Sequence, residues 1–450
     1  MDIDQSLELA RALVRRAEDE AAKQAYIDIL RTDPTHFGAL NELGTLALAG
    51  GFRSAARTAY LQAVHHHPAN PIGRVNLANV MREENDPQGA RIHYEAALAI
   101  DPDLPEAHQG LAWVLTELHL EGAEAHRRRG FAAGRALIVK PYRGTGEGVP
   151  LLVLVSARGG NIPTRLWIDD RRFTQYVIYT EYFDAATPLP PHALVVNAVG
   201  DADLCAEALA CGKRLLAGSN SPVINPPSRV ALTGRAENSH RLAGLAGVIA
   251  PRMEVFSRAA LLAARHLEFP LLLRSPGFHT GRHFVRVENR DALPAAAAPL
   301  AGEELLAIQY LDARGPDGMA RKYRVMFIDR VAYPLHLAVS ADWKVHYFSA
   351  DMARNAAFRE EERRFLEDMP AVLGAKAMAA LASICLTLDL DYAGIDFALS
   401  PDGSVLLFEA NATMVVFPPG PDPVWDYRRA AIQTVMTAAG RMLEQGLNRP

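Results

Sequence analysis

Three prolines, Pro34, Pro68 and Pro102, stand 34 residues apart, and so do three tyrosines, Tyr26, Tyr60 and Tyr94. A fixed period of this length means that one supersecondary unit is repeated and stacked. Other positions keep the phase. Leu9, Leu43 and Leu77 precede the small residues Ala10, Gly44 and Ala78, and Ala22, Ala56 and Ala90 mark a second small site. Small residues at two fixed sites let the helices of a hairpin approach closely, and each proline ends the second helix. The period predicts helical hairpins over residues 3–104, each burying its apolar face by stacking on the next.

A fourth unit starts in phase at Leu111 and Ala112, then departs, because Glu124 occupies the second small site. The pattern is gone by "HRRRGFAAGRALIVKPYRG", read as a capping helix and linker. This region resembles the tetratricopeptide repeat family. The resemblance implies an α-helical solenoid over residues 1–136 whose concave face captures a peptide or protein substrate. The alternative role for such an arm is packing or homo-oligomerisation.

Composition sets outer limits. A chain of 450 residues has room for roughly two to four domains, and 49% hydrophobic with 22% charged residues is an ordinary globular balance. The formal net charge of −5 leaves no global basic footprint, so no nucleic acid partner is expected. Cys205, Cys211 and Cys385 form neither a metal-type cluster nor a disulfide framework, which fits a reducing cytoplasm. The acidic start "MDIDQSLELA" lacks a secretory pattern, and no apolar run is read as long enough for a membrane span, so no membrane partner is expected.

After residue 148 the pattern alternates strand and helix. "GVPLLVLVSARGGN" reads as a first strand ending in a Gly-rich turn, a turn type that can hold an anion or a substrate carboxylate. "TQYVIYTEYF" and "HALVVNAVGD" read as further strands, and "DADLCAEALACG" as a helix closed by Gly212. The Pro- and Asn-rich stretch that follows suggests a boundary near residue 228. Arg235 then lies near the start of a helix. "FPLLLRS" and "FVRVEN" flank a hairpin tip that carries Gly277 and Gly281, with Arg274, His279 and Arg282 beside it. Glycine there lets a backbone approach a ligand and offers bare amides to phosphate oxygens. An apolar strand, Leu305 to Leu311, stops at Asp312. "RKYRVMFIDRVAYPLHLAV" gives two strands joined through "IDR", and "EEERRFLEDMPAVLGAKAMAALASICLTLDL" reads as a helical stretch.

The end of the chain carries the sharpest feature. In "YAGIDFALSPDGSVLLFEANATM" a strand bearing Asp396 reverses through a PDG turn into a strand bearing Glu409 and Asn411. Residues i and i+2 of a strand share a face, so Glu409 and Asn411 present oxygens side by side. A hairpin can set Asp396 opposite them. Three converging oxygen donors suit a hard cation such as Mg²⁺, which would offset the cost of burying carboxylates. The plain alternative is a strand-end Glu paired with a Lys or Arg.

The order of these stations resembles the ATP-grasp superfamily, over roughly residues 150–440, with the C-terminal hairpin as the most specific part. The resemblance implies an α/β domain at 149–228 and an α/β + α+β ATP-grasp fold at 229–450, in two lobes of about 229–310 and 311–450. It implies ATP and Mg²⁺, with Asp396, Glu409 and Asn411 as metal ligands. Arg235 and Arg274 fall where the family has phosphate-contacting lysines, a departure that keeps charge but alters geometry. The flexible loop would be Pro276–His283, its Gly277 and Gly281 covering phosphates. Gln309, Tyr310 and Leu311 would meet the adenine edge, with Gln309 where the family often has Glu, and Asp312 would hold the ribose. Arg324 would face the triphosphate. His336, Lys344 and His346 stand where relatives have Arg or Asn. Lys322 is expected as a solvated strand residue.

The activity this implies is ATP-dependent amide-bond formation through an acyl phosphate, acting on a peptide or protein brought by the repeat array. A kinase using the same cleft and a non-catalytic nucleotide-binding scaffold are the competing readings. The loops at 158–165, 220–227 and 416–426 would line the substrate pocket. Thr413 and Met414 would lie near the reacting groups.

Overall fold

The computed structural model describes residues 2–277, 281, 283–345, 351–420 and 422–449. His279, Arg282 and His346 therefore lie outside the described residues. The chain divides into two compact units: 1–148 with 170–172 and 182–184, and 149–169 with 173–181 and 185–450.

The first unit is a helical repeat array. Its eight helices are α1 (Ile3–Arg15), α2 (Asp19–Thr32), α3 (Phe37–Ala49), α4 (Arg53–His66), α5 (Pro71–Glu83), α6 (Pro87–Ile100), α7 (Pro105–Glu117) and α8 (Ala123–Gly130). Tyr26, Tyr60 and Tyr94 are all but fully buried, which explains the period. Each ring lies against a small residue or a hydrogen-bond acceptor on an odd-numbered helix. A Cβ on Gly44 would come 2.7 Å from the Tyr60 ring, and one on Gly110 would come 2.2 Å from the Tyr94 ring. The hydroxyls donate to Glu42 at 3.0 Å for Tyr26 and to Asn79 at 2.6 Å for Tyr94. Leu77 is buried in the middle of the stack, whereas Leu9, at the same phase, is 44% exposed. α8 is cut to one short helix. Arg127 there is buried and bonds Glu124 and Thr116.

Among the described residues the second unit holds three sheets. The part of the first sheet that lies in this unit contains β1 (Val149–Val155), β2 (Phe173–Tyr179), β3 (Leu194–Asn197) and β4 (Val223–Ile224), parallel to one another in the order β2-β1-β3-β4. Continuous apolar runs such as Leu151–Leu154 suit strands buried on both faces. The helix after β3 spans Ala206–Leu215, so Gly212 lies inside it rather than closing it, packed close to Pro227 and Leu154. The Pro- and Asn-rich stretch near residue 228 is no open linker. Asn225 (φ 53°) is fully buried, and its side chain donates to Tyr392 O and accepts from the amides of Asp391 and Tyr392.

Further along come β5 (Val248–Ile249), β6 (Met253–Ser257), β7 (Leu271–Arg274), β8 (Phe284–Val287) and β9 (Glu304–Gln309). The last four form an antiparallel sheet in the order β6-β9-β7-β8. β9 ends at Gln309, so Tyr310, Leu311 and Asp312 leave the sheet. The third sheet is β11-β10-β12-β13-β5, where β10 is Ala320–Ile328, β11 Val331–Ser340, β12 Tyr392–Leu399 and β13 Val405–Asn411. Asp329 and Arg330, both at positive φ, make the two-residue turn between β10 and β11.

The long helical stretch resolves into two elements, Ala356–Glu367 and Met369–Leu388. Asp368 caps the second through Ala371 N, and Gly374 (φ 78°, ψ 165°) interrupts it. Met369–Leu388 meets the length and hydropathy criterion for a membrane span, contrary to the sequence expectation. Its buried face, Leu373, Ala377, Leu381, Ile384 and Leu388, packs on β11, β12 and β13.

Candidate functional site

The hairpin of β12 and β13 builds the centre of the site. Its register sets Asp396 opposite Glu409 and Gly394 opposite Asn411, with an irregularity just after Asp396. The turn closes on Gly403 (φ 79°), and Asp402 accepts from Ser404 N. On the other side of β12, β10 places Arg324 opposite Asp396 and also opposite His336 of β11. Strand alternation thus brings four functional side chains from four strands to one face.

The electrostatics are tightly paired. Arg324 donates to both Asp396 oxygens at 2.6 and 2.8 Å, and Lys322 Nζ to one of them at 2.9 Å. Lys322 is therefore a buried partner of Asp396, with 13% of its side chain exposed, and not a solvated residue. Burial pushes the Asp396 carboxyl up, but the charges of Arg324 and Lys322 outweigh it and hold it far below the usual carboxylate range. Glu409 accepts from Arg235 Nη2 at 2.6 Å and from Asn411 Nδ2 at 2.8 Å. Burial raises its pKa too, and Arg235 with Arg274 reverses the sign. Arg274 is pushed down to about 10, by burial first and by the charge of Arg235 second. His336 is buried, and burial together with the adjacent Arg324 keeps its ring neutral.

These groups open onto one cleft of about 480 Å³ between the second and third sheets. Of the residues expected at a nucleotide site, Arg235, Arg274, Gly281, Gln309, Tyr310, Leu311, Arg324, His336, Lys344, Asp396, Glu409 and Asn411 all line it. Gly277 and Asp312 do not. Asp312 is held by Arg314 in a two-pronged ion pair with contacts of 2.5 to 3.1 Å. Gln309 shares both its amide and its side-chain oxygen with the Arg252 backbone. Lys344 does not point free into the cleft. Its Nζ donates to Gly281 O at 2.6 Å and to Phe284 O at 3.3 Å, tying the hairpin of β7 and β8 to the segment after β11.

Several lining residues carried no local signal. Trp343 stacks edge-on with Phe284 and Tyr310, while Arg286 lies 4.2 Å over the Tyr310 ring. Leu272, Leu407, Phe408 and Ile432 complete the apolar wall. Gly160 and Asn161 also line the cleft, so the Gly-rich turn after β1 reaches it. That turn lies at the crevice between β1 and β3 where the strand order reverses, the place open parallel sheets offer to ligands. Thr413 and Met414 line the cleft as well, and Gly200 approaches Thr413 so closely that a Cβ would meet it at 2.8 Å.

The two carboxylates at the hairpin offer ionised oxygens, which fit a hard cation in chemical type. Asp396 and Glu409 would hold it. Asn411 would have to turn, since its Oδ1 accepts from Thr413 N and Oγ1 and its Nδ2 faces Glu409. Among the described residues no three His, Cys, Asp or Glu side chains gather into a metal-holding group.

No protein-family model matches the chain, and no curated protein does either. Among solved structures, a crystal structure of MamA aligns at 18% identity, TM-score 0.27, over 29% of this chain and 77% of that one. MamA from Desulfovibrio magneticus RS-1 aligns at 18% identity, TM-score 0.27, over 29% of this chain and 74% of that one.

Proposed function

We propose that the chain is an ATP-dependent carboxylate–amine ligase of ATP-grasp type, with the repeat array binding a peptide or protein substrate. The observation that carries this reading is the composition of the cleft wall. Arg235, Arg274, Lys322 and Arg324 stand beside Asp396 and Glu409 in a cleft whose remaining wall is largely apolar. A cationic surplus beside two ionised acids complements a triphosphate with its divalent ion.

In this reading the cleft residues divide the work. Arg235, Arg274 and Arg324 hold phosphate oxygens and stabilise charge as the substrate carboxylate attacks the γ-phosphorus and its bond to ADP breaks. Asp396 and Glu409 would hold Mg²⁺, which would supply charge neutralisation on the phosphates. Tyr310 and Leu311 receive the base through backbone groups. Lys344, by tying down Gly281, keeps water from the acyl phosphate. An amine then forms the C–N bond as phosphate leaves, and the amine proton passes to solvent.

Hydroxylamine trapping tests the chemistry. With MgATP and peptides retained by residues 1–136, an acyl phosphate yields a hydroxamate. A stable phosphorylated product with no hydroxamate would replace the ligase by a kinase. A second reading, a nucleotide-binding scaffold, is favoured by one observation: Arg324 and Lys322 already neutralise Asp396, and Arg235 neutralises Glu409. ATP binding without turnover on any such peptide would favour it.

A further inference from the structure

A small chamber of about 20 Å³ adjoins the cleft at Glu409 and Asn411 and is lined further by Asp201, Asp203, Thr233 and Asn238. That is room for one water or one ion of its size. Asn238 is 2% exposed and donates through Nδ2 to Ala410 O. A carbonyl can only accept, so the amide orientation is fixed, and the buried Oδ1 has no hydrogen-bond partner. A buried acceptor left so is costly and calls for a donor or a cation. Thr233 gives its proton to Val230 O at 2.7 Å, which leaves lone pairs on its oxygen. Asp203 accepts from the Arg235 amide at 3.0 Å, and Asp201 from the amides of Asp203 and Leu204. The carboxylates of Asp201, Asp203 and Glu409 line the pocket together with the guanidinium of Arg235.

We propose that this chamber is a monovalent-cation site, of K⁺ type, held by Asn238 Oδ1, Thr233 Oγ1 and the carboxylates of Asp203 and Glu409. The donors are oxygens only, and half of them are neutral. No three acids among the described residues gather tightly enough for a metal ion, which disfavours a divalent ion in an all-protein cage. A bound cation would join the start of the helix Arg235–Leu242, the loop after β3 and the end of β13. The proposal does not depend on the ligase reading, because it concerns the chain without nucleotide.

Thermal unfolding of the full chain at constant ionic strength tests it, in KCl and in tetramethylammonium chloride, whose ion is too large to enter. A saturable rise in Tm of about 2–4 °C with K⁺ alone is expected, and Asp203→Asn and Asn238→Leu should each abolish it. Equal Tm in both salts would overturn the proposal, as would a K⁺ response unchanged in both variants. A Tm change in Asn238→Leu that is the same in both salts would mean water alone occupies the chamber. If that variant fails to fold, Asp203→Asn, on an exposed loop residue, still decides. A crystal soaked in Tl⁺ should show an anomalous peak in the chamber, and its absence would also overturn the assignment.

Discussion

Asp396→Asn isolates the electrostatic centre of the site, because the change keeps shape and removes charge. The Asp396 side chain is 5% exposed and faces Arg324 and Lys322, whose side chains are 21% and 13% exposed. At contacts near 3 Å and an effective dielectric constant near 20, each attraction is about 5 kcal/mol before desolvation is charged against it. The net effect of stripping one partner from a buried pair is about 3–5 kcal/mol, mostly the cost of the cations left behind. Urea unfolding followed by circular dichroism at pH 7 should show a loss of that size in the transition of the second unit. The pH dependence has a definite sign. The folded Asp396 pKa lies below its unfolded value, so its contribution is complete above the unfolded pKa and is lost as pH falls through the acid range. The gap between wild type and variant should therefore shrink on acidification below about pH 4. A loss under about 1 kcal/mol at pH 7, or a gap that is the same at pH 3 and pH 7, would refute the reasoning.

Other sites give sharp outcomes. Gly110→Ala places a methyl against the Tyr94 ring and should cost about 1–3 kcal/mol by overpacking, more than the helix propensity it gains; pairing it with Tyr94→Leu should recover part of the loss in thermal melts. His108 Nδ1 and His126 Nδ1 lie 2.8 Å apart, and burial first, then His108, lowers the His126 pKa. Neutral His126 is thus favoured on folding, so the packing of α7 on α8 should weaken as pH falls below about 6.5, read as faster hydrogen exchange over residues 105–130 after correction for intrinsic rate. Arg428→Met strands the fully buried Glu362, to which Tyr427 also donates, and should cost about 3–5 kcal/mol, with Glu362→Leu added in the same chain restoring part of it. Lys344→Met should leave MgATP affinity within a few-fold while raising uncoupled ATP hydrolysis, since the tie to Gly281 is lost; unchanged coupling would remove its proposed role.

Legibility followed the range of the physics. The repeat array could be read because Tyr26, Tyr60 and Tyr94 each pack within their own hairpin or the adjacent one, so the periodic pattern is local. Asp396, Glu409 and Asn411 could be placed on one face because strand alternation and a PDG turn fix a hairpin register without distant information. Lys322 was misplaced because alternation alone does not say which face of β10 meets the buried acid. Trp343, Ile432 and Asn238 had no signal, since their roles arise only where segments far apart in sequence converge. Met369–Leu388 shows the opposite failure: the whole helix counts as apolar by length and hydropathy, while its burial is confined to one face. Glycine commonly ends helices, yet Gly212 lies within one and makes room for Pro227.

The proposed function turns on a metal-dependent nucleotide site built around Glu409. Calorimetric titration of the full chain with ATP, with and without Mg²⁺, tests it on wild type and Glu409→Ala. The account predicts binding in wild type that requires Mg²⁺ and is lost in the variant, with circular dichroism showing the variant folded. Absence of wild-type binding at millimolar ATP, or binding indifferent to both Mg²⁺ and Glu409, would contradict it.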